Sequence, residues 1–155
     1  MRHLRILVLS CALLLPGAAA SAQTTTARPA NDTVTYFPAD QVNAAFTKGA
    51  PVVETGSYKV LAGRRDRDGQ AEVHARDTDI MYVLEGTATL VTGGQVVGGK
   101  STATDEVRGD AITGGDAHPL VKGDVIIVPN GVPHLFKDVK APFLYYVVKV
   151  TSPQR

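Results

Sequence analysis

From Val52 onward the chain is a succession of short apolar or alternating runs broken by turn residues. Val52-Val53, Tyr58 to Ala62, Ala71 to Ala75, Ile80 to Leu84, Thr87 to Val91, Val125 to Val128, His134 to Phe136 and Phe143 to Val150 have the length and the β-branched or aromatic content of strands. Asp68-Gly69, Glu85-Gly86 and Gly93-Gly94 are read as hairpin turns between them. Many short strands without a long helix predict an all-β domain, and periodicity alone leaves sandwich and barrel open. Ahead of the strands, Asp40 to Lys48 reads as a short helix. Asp40 is its N-cap, Val42, Ala45 and Phe46 share one face, and Gly49 ends it.

The pattern changes at two places. At the N-terminus, Arg2 and Arg5 precede an apolar run from Ile6 to Leu15, too short for a stable bilayer anchor, and Ala20-Ser21-Ala22 supplies small residues for cleavage. Residues 1–22 are therefore expected to be a signal peptide, residues 23–33 a flexible Thr-, Ala- and Pro-rich leader, and residues 34–155 the folded domain. This implies a periplasmic or secreted protein with no membrane segment after cleavage. Cys11 lies inside the apolar run, with Leu13 to Leu15 beyond it, which argues against lipidation and leaves the mature chain without cysteine. The second change is the Gly-, Ser- and Thr-rich stretch from Gly98 to Ala117. It reads as an insertion between two halves of the domain, with a short strand at Ala111 to Thr113, serving either as a lid or as a passive excursion.

Composition narrows the classes of function. With 155 residues the chain holds one domain large enough to bury a core, and 44% apolar against 20% charged residues is ordinary for a globular protein. Its formal net charge of +1 and scattered cations give no basic stripe, so nucleic acid is not an expected partner. The cluster Arg64, Arg65 and Arg67 reads as a charged hairpin tip. Without a cysteine in the mature chain, thiolate catalysis and thiolate zinc sites are excluded, and there is neither a phosphate loop nor a Gly-x-Ser-x-Gly elbow.

The remaining chemistry centres on two segments. The first runs Glu72-Val73-His74-Ala75-Arg76-Asp77-Thr78-Asp79, followed after six intervening residues by Gly86; the second is Gly123 to Asp138, GDVIIVPNGVPHLFKD. Alternation along a strand puts Glu72 and His74 on one side, which in a barrel is the lumen. The rigid turn Pro129 to Pro133 can present His134 inward, and Asp79 opens the next strand. Met81 and Val83 share the parity of Asp79, and Phe136 that of His134, which makes them candidates for an apolar pocket lining together with Tyr58. Tyr82 is read as a core or wall residue. Arg76 shares the parity of His74 and could meet an anionic substrate at the rim, or pair with Asp77 or Asp79. His118, before Pro119, is read as surface or lid.

The second segment resembles the second motif of the cupin superfamily: Gly123, Pro129, Gly131 and His134 stand in register, and Asp138 replaces the motif's final Asn. The first resembles the first cupin motif less closely. His74, Asp79 and Gly86 fit its second His, its Glu and its Gly, while Glu72 stands where the first His belongs. The resemblance implies a single jelly-roll β-barrel of cupin type with a divalent metal (Fe, Mn, Ni or Zn) held by His74, His134 and Asp79. Glu72 would serve as a further ligand or as the catalytic general base. It points to an enzyme acting on a small oxygenated molecule by dioxygenase, isomerase or lyase chemistry; the alternative is a module that binds a small ligand or sugar without turning it over. The apolar strand Phe143 to Val150 and the segment Val34 to Phe37 are suited to strand pairing across a homodimer.

Overall fold

A computed structural model describes residues 34–153, so the signal-peptide and leader readings lie outside the described residues. The first element, helix α1 (Ala39–Lys48), begins one residue earlier than expected. Pro38 is the N-cap, its carbonyl accepting from the amides of Gln41 and Val42, and Asp40 sits instead in the first turn, where its charge opposes the positive end of the helix. Gly49 closes the helix in the left-handed conformation. Phe46 meets Tyr146 edge-on, with ring centroids 5.0 Å apart.

Eleven strands follow: β1 (Pro51–Glu54), β2 (Tyr58–Arg65), β3 (Ala71–His74), β4 (Asp77–Thr92), β5 (Gln95–Val97), β6 (Lys100–Ala103), β7 (Glu106–Gly109), β8 (Ala111–Thr113), β9 (Asp116–Leu120), β10 (Val125–Val128) and β11 (His134–Thr151). All pairings are antiparallel. The order β1-β2-β11-β3-β7-β6 runs along one path, β4 joins β11, β9 and β10, and β5 pairs with β8 in a separate ribbon. The fold is an all-β jelly-roll barrel, with β4 and β11 side by side over most of their length as its backbone.

Three turn assignments change. Glu85-Gly86 is no hairpin: the chain runs straight through it as β4, and the expected strands Ile80–Leu84 and Thr87–Val91 are one. Gly86 instead bends the strand. It has φ +78°, and a Cβ there would lie 2.4 Å from the Pro142 carbonyl oxygen of β11, so only glycine fits. Asp68-Gly69 links β2 to β3, which pair with β11 rather than with each other, and Gly93-Gly94 leads into β5, whose partner is β8. Arg64 and Arg65 consequently belong to β2 and not to a hairpin tip. Most of the Gly98–Ala117 stretch is strand: β6 and β7 extend the main sheet beyond β3, and the strand expected at Ala111–Thr113 is β8 of the separate ribbon.

Alternation decides what faces the lumen. Met81, Val83, Ala88, Leu90, Leu120, Val128, Phe136, Phe143, Tyr145 and Val147 form the core. Phe143, Leu90 and Val83 are fully buried, worth roughly 1.5–3 kcal/mol each. Phe143 to Val150 pairs with β2 on one edge and β4 on the other within the chain. The outer sheet face exposes Val125, Ile127, Tyr82, Val150 and Tyr58.

Candidate metal centre

The inward positions of β2, β3, β4, β7 and β11 surround a cavity of about 970 Å³, floored by Met81, Phe136, Tyr145 and Val147. Strand pairing brings distant residues into it. Glu72 lies opposite His134 across β3 and β11, Glu72 opposite Arg108 and His74 opposite Glu106 across β3 and β7, and Asp79 opposite Lys149 across β4 and β11. The turn at Pro129–Gly131 fixes the approach: the Gly131 amide donates to the His74 carbonyl at 2.8 Å, and Asn130 Nδ2 donates to the Ala75 carbonyl at 3.1 Å. The same turn that delivers His134 therefore anchors the strand end that carries His74.

Glu72, His74 and His134 each offer a ligand atom, all lying within 4.8 Å of one another. The two imidazole rings are 5.1 Å apart between centroids. Hydrogen bonding sets their tautomers. His74 Nδ1 faces a carboxylate oxygen of Glu106, which only accepts, and His74 Nε2 receives an ammonium proton of Lys149 at 2.8 Å, which only donates; the ring proton therefore sits on Nδ1 and the Nε2 lone pair faces inward. His134 Nδ1 donates to the Val132 carbonyl at 3.2 Å, again leaving Nε2 for the lumen. Burial pulls the His134 pKa below its ordinary value, outweighing the Val132 carbonyl and the Asp79 charge that oppose it, so the ring is neutral at pH 7.

Glu72 splits its two oxygens. Oε1 accepts from Arg108 Nη1 at 2.8 Å with Arg65 Nη2 at 3.5 Å, and Oε2 lies 3.7 Å from His74 Nε2. Burial alone would push this carboxyl up, but the charges of Arg108 and Arg65, aided by His134 and His74, hold it below the usual carboxylate value. Glu72 is thus an anion, which suits a ligand better than a proton-accepting base tuned to neutral pH. The donor chemistry fits a divalent metal: two imidazole lone pairs and one carboxylate oxygen make the two-His, one-carboxylate set. Each imidazole is held from behind by an acceptor, as metal-binding histidines are.

Asp79, the carboxylate expected as a ligand, stands beside both imidazoles. It is buried, with Oδ2 3.6 Å from His74 Nε2 and 3.8 Å from His134 Nε2, yet both of its oxygens accept from Lys149 at 2.7 Å. It belongs to the same cluster as an ion pair, outside the three converging donors. Lys149 itself was missed in the sequence. So were Glu106 and Arg108, which lie in the presumed insertion, and Arg65, whose Nε donates to Tyr145 Oη at 3.1 Å and whose guanidinium lies 4.3 Å over the Phe136 ring.

Among the other expected residues, Met81 and Phe136 line the cavity. Val83 is buried in the core beyond it, and Tyr58 has the opposite parity to Lys59 and Leu61 and is 40% exposed on the outer face, so neither lines the pocket. Tyr82 is outward for the same reason. Arg76 meets neither Asp77 nor Asp79; its guanidinium donates to the Ser152 carbonyl and lies 3.6 Å from Asp105. Asp77 pairs with Lys59 and Thr151 at the rim. His118 is exposed on β9, 2.9 Å from the Thr92 hydroxyl.

The family model described as Cupin matches residues 26–155. No curated protein matches the sequence. Among solved structures, a Bacillus halodurans protein aligns with a TM-score of 0.52 at 12% identity, over 77% of this chain and 83% of its own. A Klebsiella pneumoniae protein with a double-stranded β-helix domain aligns at 0.48 and 18% identity, over 80% of this chain and 81% of its own. KdgF from a Halomonas species aligns at 0.48 and 17% identity, over 66% of this chain and 78% of its own.

Proposed function

This chain belongs to the cupin family, and we propose that it holds a divalent metal on His74, His134 and Glu72 and acts there on a small oxygenated molecule. The observation that carries the reading is the convergence of two imidazole Nε2 atoms and one carboxylate oxygen, with each imidazole's Nδ1 already committed to an acceptor. A metal on this set would supply Lewis acidity toward a substrate oxygen. The chain's own residues do the rest. Arg108 and Arg65 hold Glu72 ionised and aimed, Glu106 and the Val132 carbonyl fix the two rings, and Phe136, Met81 and Tyr145 present a low-dielectric wall. Among the Fe, Mn, Ni and Zn alternatives, iron would serve oxygen insertion, and Mn or Zn isomerase or lyase reactions.

The test is bound metal by mass spectrometry on protein purified without chelating resin, beside His74→Ala and His134→Ala. About one equivalent of a single metal in wild type, absent from both variants, supports the centre, and its identity selects the substrates to screen. Wild type that stays metal-free after exposure to Fe, Mn, Ni and Zn refutes it. The second reading, a non-catalytic ligand-binding module, draws on Lys149, whose ammonium already supplies a cation to Asp79 and His74; tight binding of a small ligand by metal-free protein would favour it.

Export and homodimerisation belong to the same proposal. The support for export is the pattern of residues 1–22, tested by N-terminal sequencing of the periplasmic protein, where a start after Ala22 is expected. The support for a dimer is the outer apolar face around Val125, Ile127 and Tyr82, tested by light scattering.

A further inference from the structure

The ammonium of Lys149 uses the very lone pair that a metal would need. An imidazole Nε2 has one lone pair in the ring plane, and in His74 it accepts from Lys149 Nζ at 2.8 Å. The remaining two ammonium protons go to Asp79 Oδ1 and Oδ2, so all three donors of the side chain are satisfied inside the site. The charges also balance without a metal: Glu72, Asp79 and Glu106 face Arg65, Arg108 and Lys149. A dication added beside the ammonium would leave an excess of positive charge among partly buried groups, which is relieved when the ammonium moves away.

Resting on the metal-centre reading above, we infer that Lys149 is an internal competitor for the metal. In the metal-free protein its ammonium bridges Asp79 and His74, and a metal enters only as that ammonium gives up His74 Nε2. The four-carbon stem gives the head the reach to withdraw while the charge stays near Asp79. Lys149 thereby sets the affinity of the centre from outside the ligand set. No cation of this kind is needed to shape the ligands, because Glu106, the Val132 carbonyl, Arg108 and Arg65 already orient them.

The experiment is titration of Zn(II), and separately Mn(II), into the metal-stripped full-length mature protein, by calorimetry and by competition with a chromophoric chelator. Wild type is compared with Lys149→Met, which keeps the stem and removes the donors, and with Lys149→Gln, which keeps a hydrogen bond to Asp79 without the charge. Circular dichroism checks the fold, and the Gln variant decides should the Met variant fail to fold. Removing a charge-assisted hydrogen bond from the lone pair is expected to tighten binding roughly 10- to 100-fold. Affinity that is unchanged or weaker in the folded variants, with wild type still binding, overturns the competitor role and leaves the metal centre standing. Absence of binding in wild type and in both variants overturns the two together, whereas binding only in the variants supports both.

Discussion

Gly63→Ala tests whether the aromatic floor of the cavity is as tightly set as it looks. Gly63 faces Tyr145 across β2 and β11, and a Cβ at position 63 would lie 2.6 Å from Tyr145 Cζ and 2.7 and 2.8 Å from the two Cε atoms. Carbon atoms pack at about 3.5–4.0 Å, so the ring must retreat by roughly 1 Å. It has nowhere to go without cost: Phe136 and Phe143 each lie 5.2 Å from it between centroids, and its hydroxyl is tied to Arg65 at 3.1 Å. Overpacking of this kind costs about 1–3 kcal/mol, and loosening the partly buried Tyr145–Arg65 hydrogen bond adds a further ~1 kcal/mol. Restricting the unfolded chain returns about 0.4–1 kcal/mol, since Gly63 has an ordinary strand backbone. The net expectation is a loss of about 2 kcal/mol, read as a lower midpoint in urea with unchanged slope. In a Tyr145→Ala background the same substitution should cost nothing or stabilise. A cost below about 0.5 kcal/mol in wild type, or an equal cost in both backgrounds, would show that the ring is not what Gly63 accommodates.

Three further outcomes follow from the same contacts. Glu106→Ala removes the acceptor behind His74 Nδ1 and should weaken metal binding roughly 10- to 100-fold with the fold retained, measured by chelator competition. Burial raises the Tyr145 pKa above its ordinary value of 10.0; above that pH the unfolded chain ionises this phenol while the folded protein keeps it neutral, so its contribution is complete below pH 10 and lost as pH rises toward the raised value. Denaturation titrations from pH 9 to 11 should show a flatter alkaline loss for Tyr145→Phe than for wild type. Asp138 has φ +51°, a conformation that Asn and Asp adopt most readily among non-glycine residues, so Asp138→Asn should be neutral within about 0.5 kcal/mol, while Asp138→Val should lose about 1–2 kcal/mol in thermal or chemical denaturation.

That last position shows what the sequence could and could not disclose. The second segment was legible because its residues are fixed by local backbone demands. Gly123 and Gly131 sit at positive φ, Asp138 meets the left-handed requirement that the family's Asn would meet, and His134 follows a rigid turn. The fold class was legible from the density of short strands, but Gly86 was misread as a turn because a glycine that ends a strand and a glycine that bends one look alike in a single chain. The cations of the site were hidden for a different reason. In Phe143 to Val150 both parities are apolar, so nothing in the run marks Lys149 as inward-facing. Arg65 sat in a charged cluster, and Glu106 and Arg108 in a glycine-rich stretch, each with a plausible exposed reading. Their place in the site is set by β2 and β7 lying against β11 and β3, pairings that join residues 32 to 80 positions apart. Histidines and carboxylates in a motif announce a site by type and spacing. The groups that neutralise them need only the right charge at the right height of the barrel, and any strand can bring it. The electrostatics of this centre, and with it the part played by Lys149, become visible only when the sheet is closed.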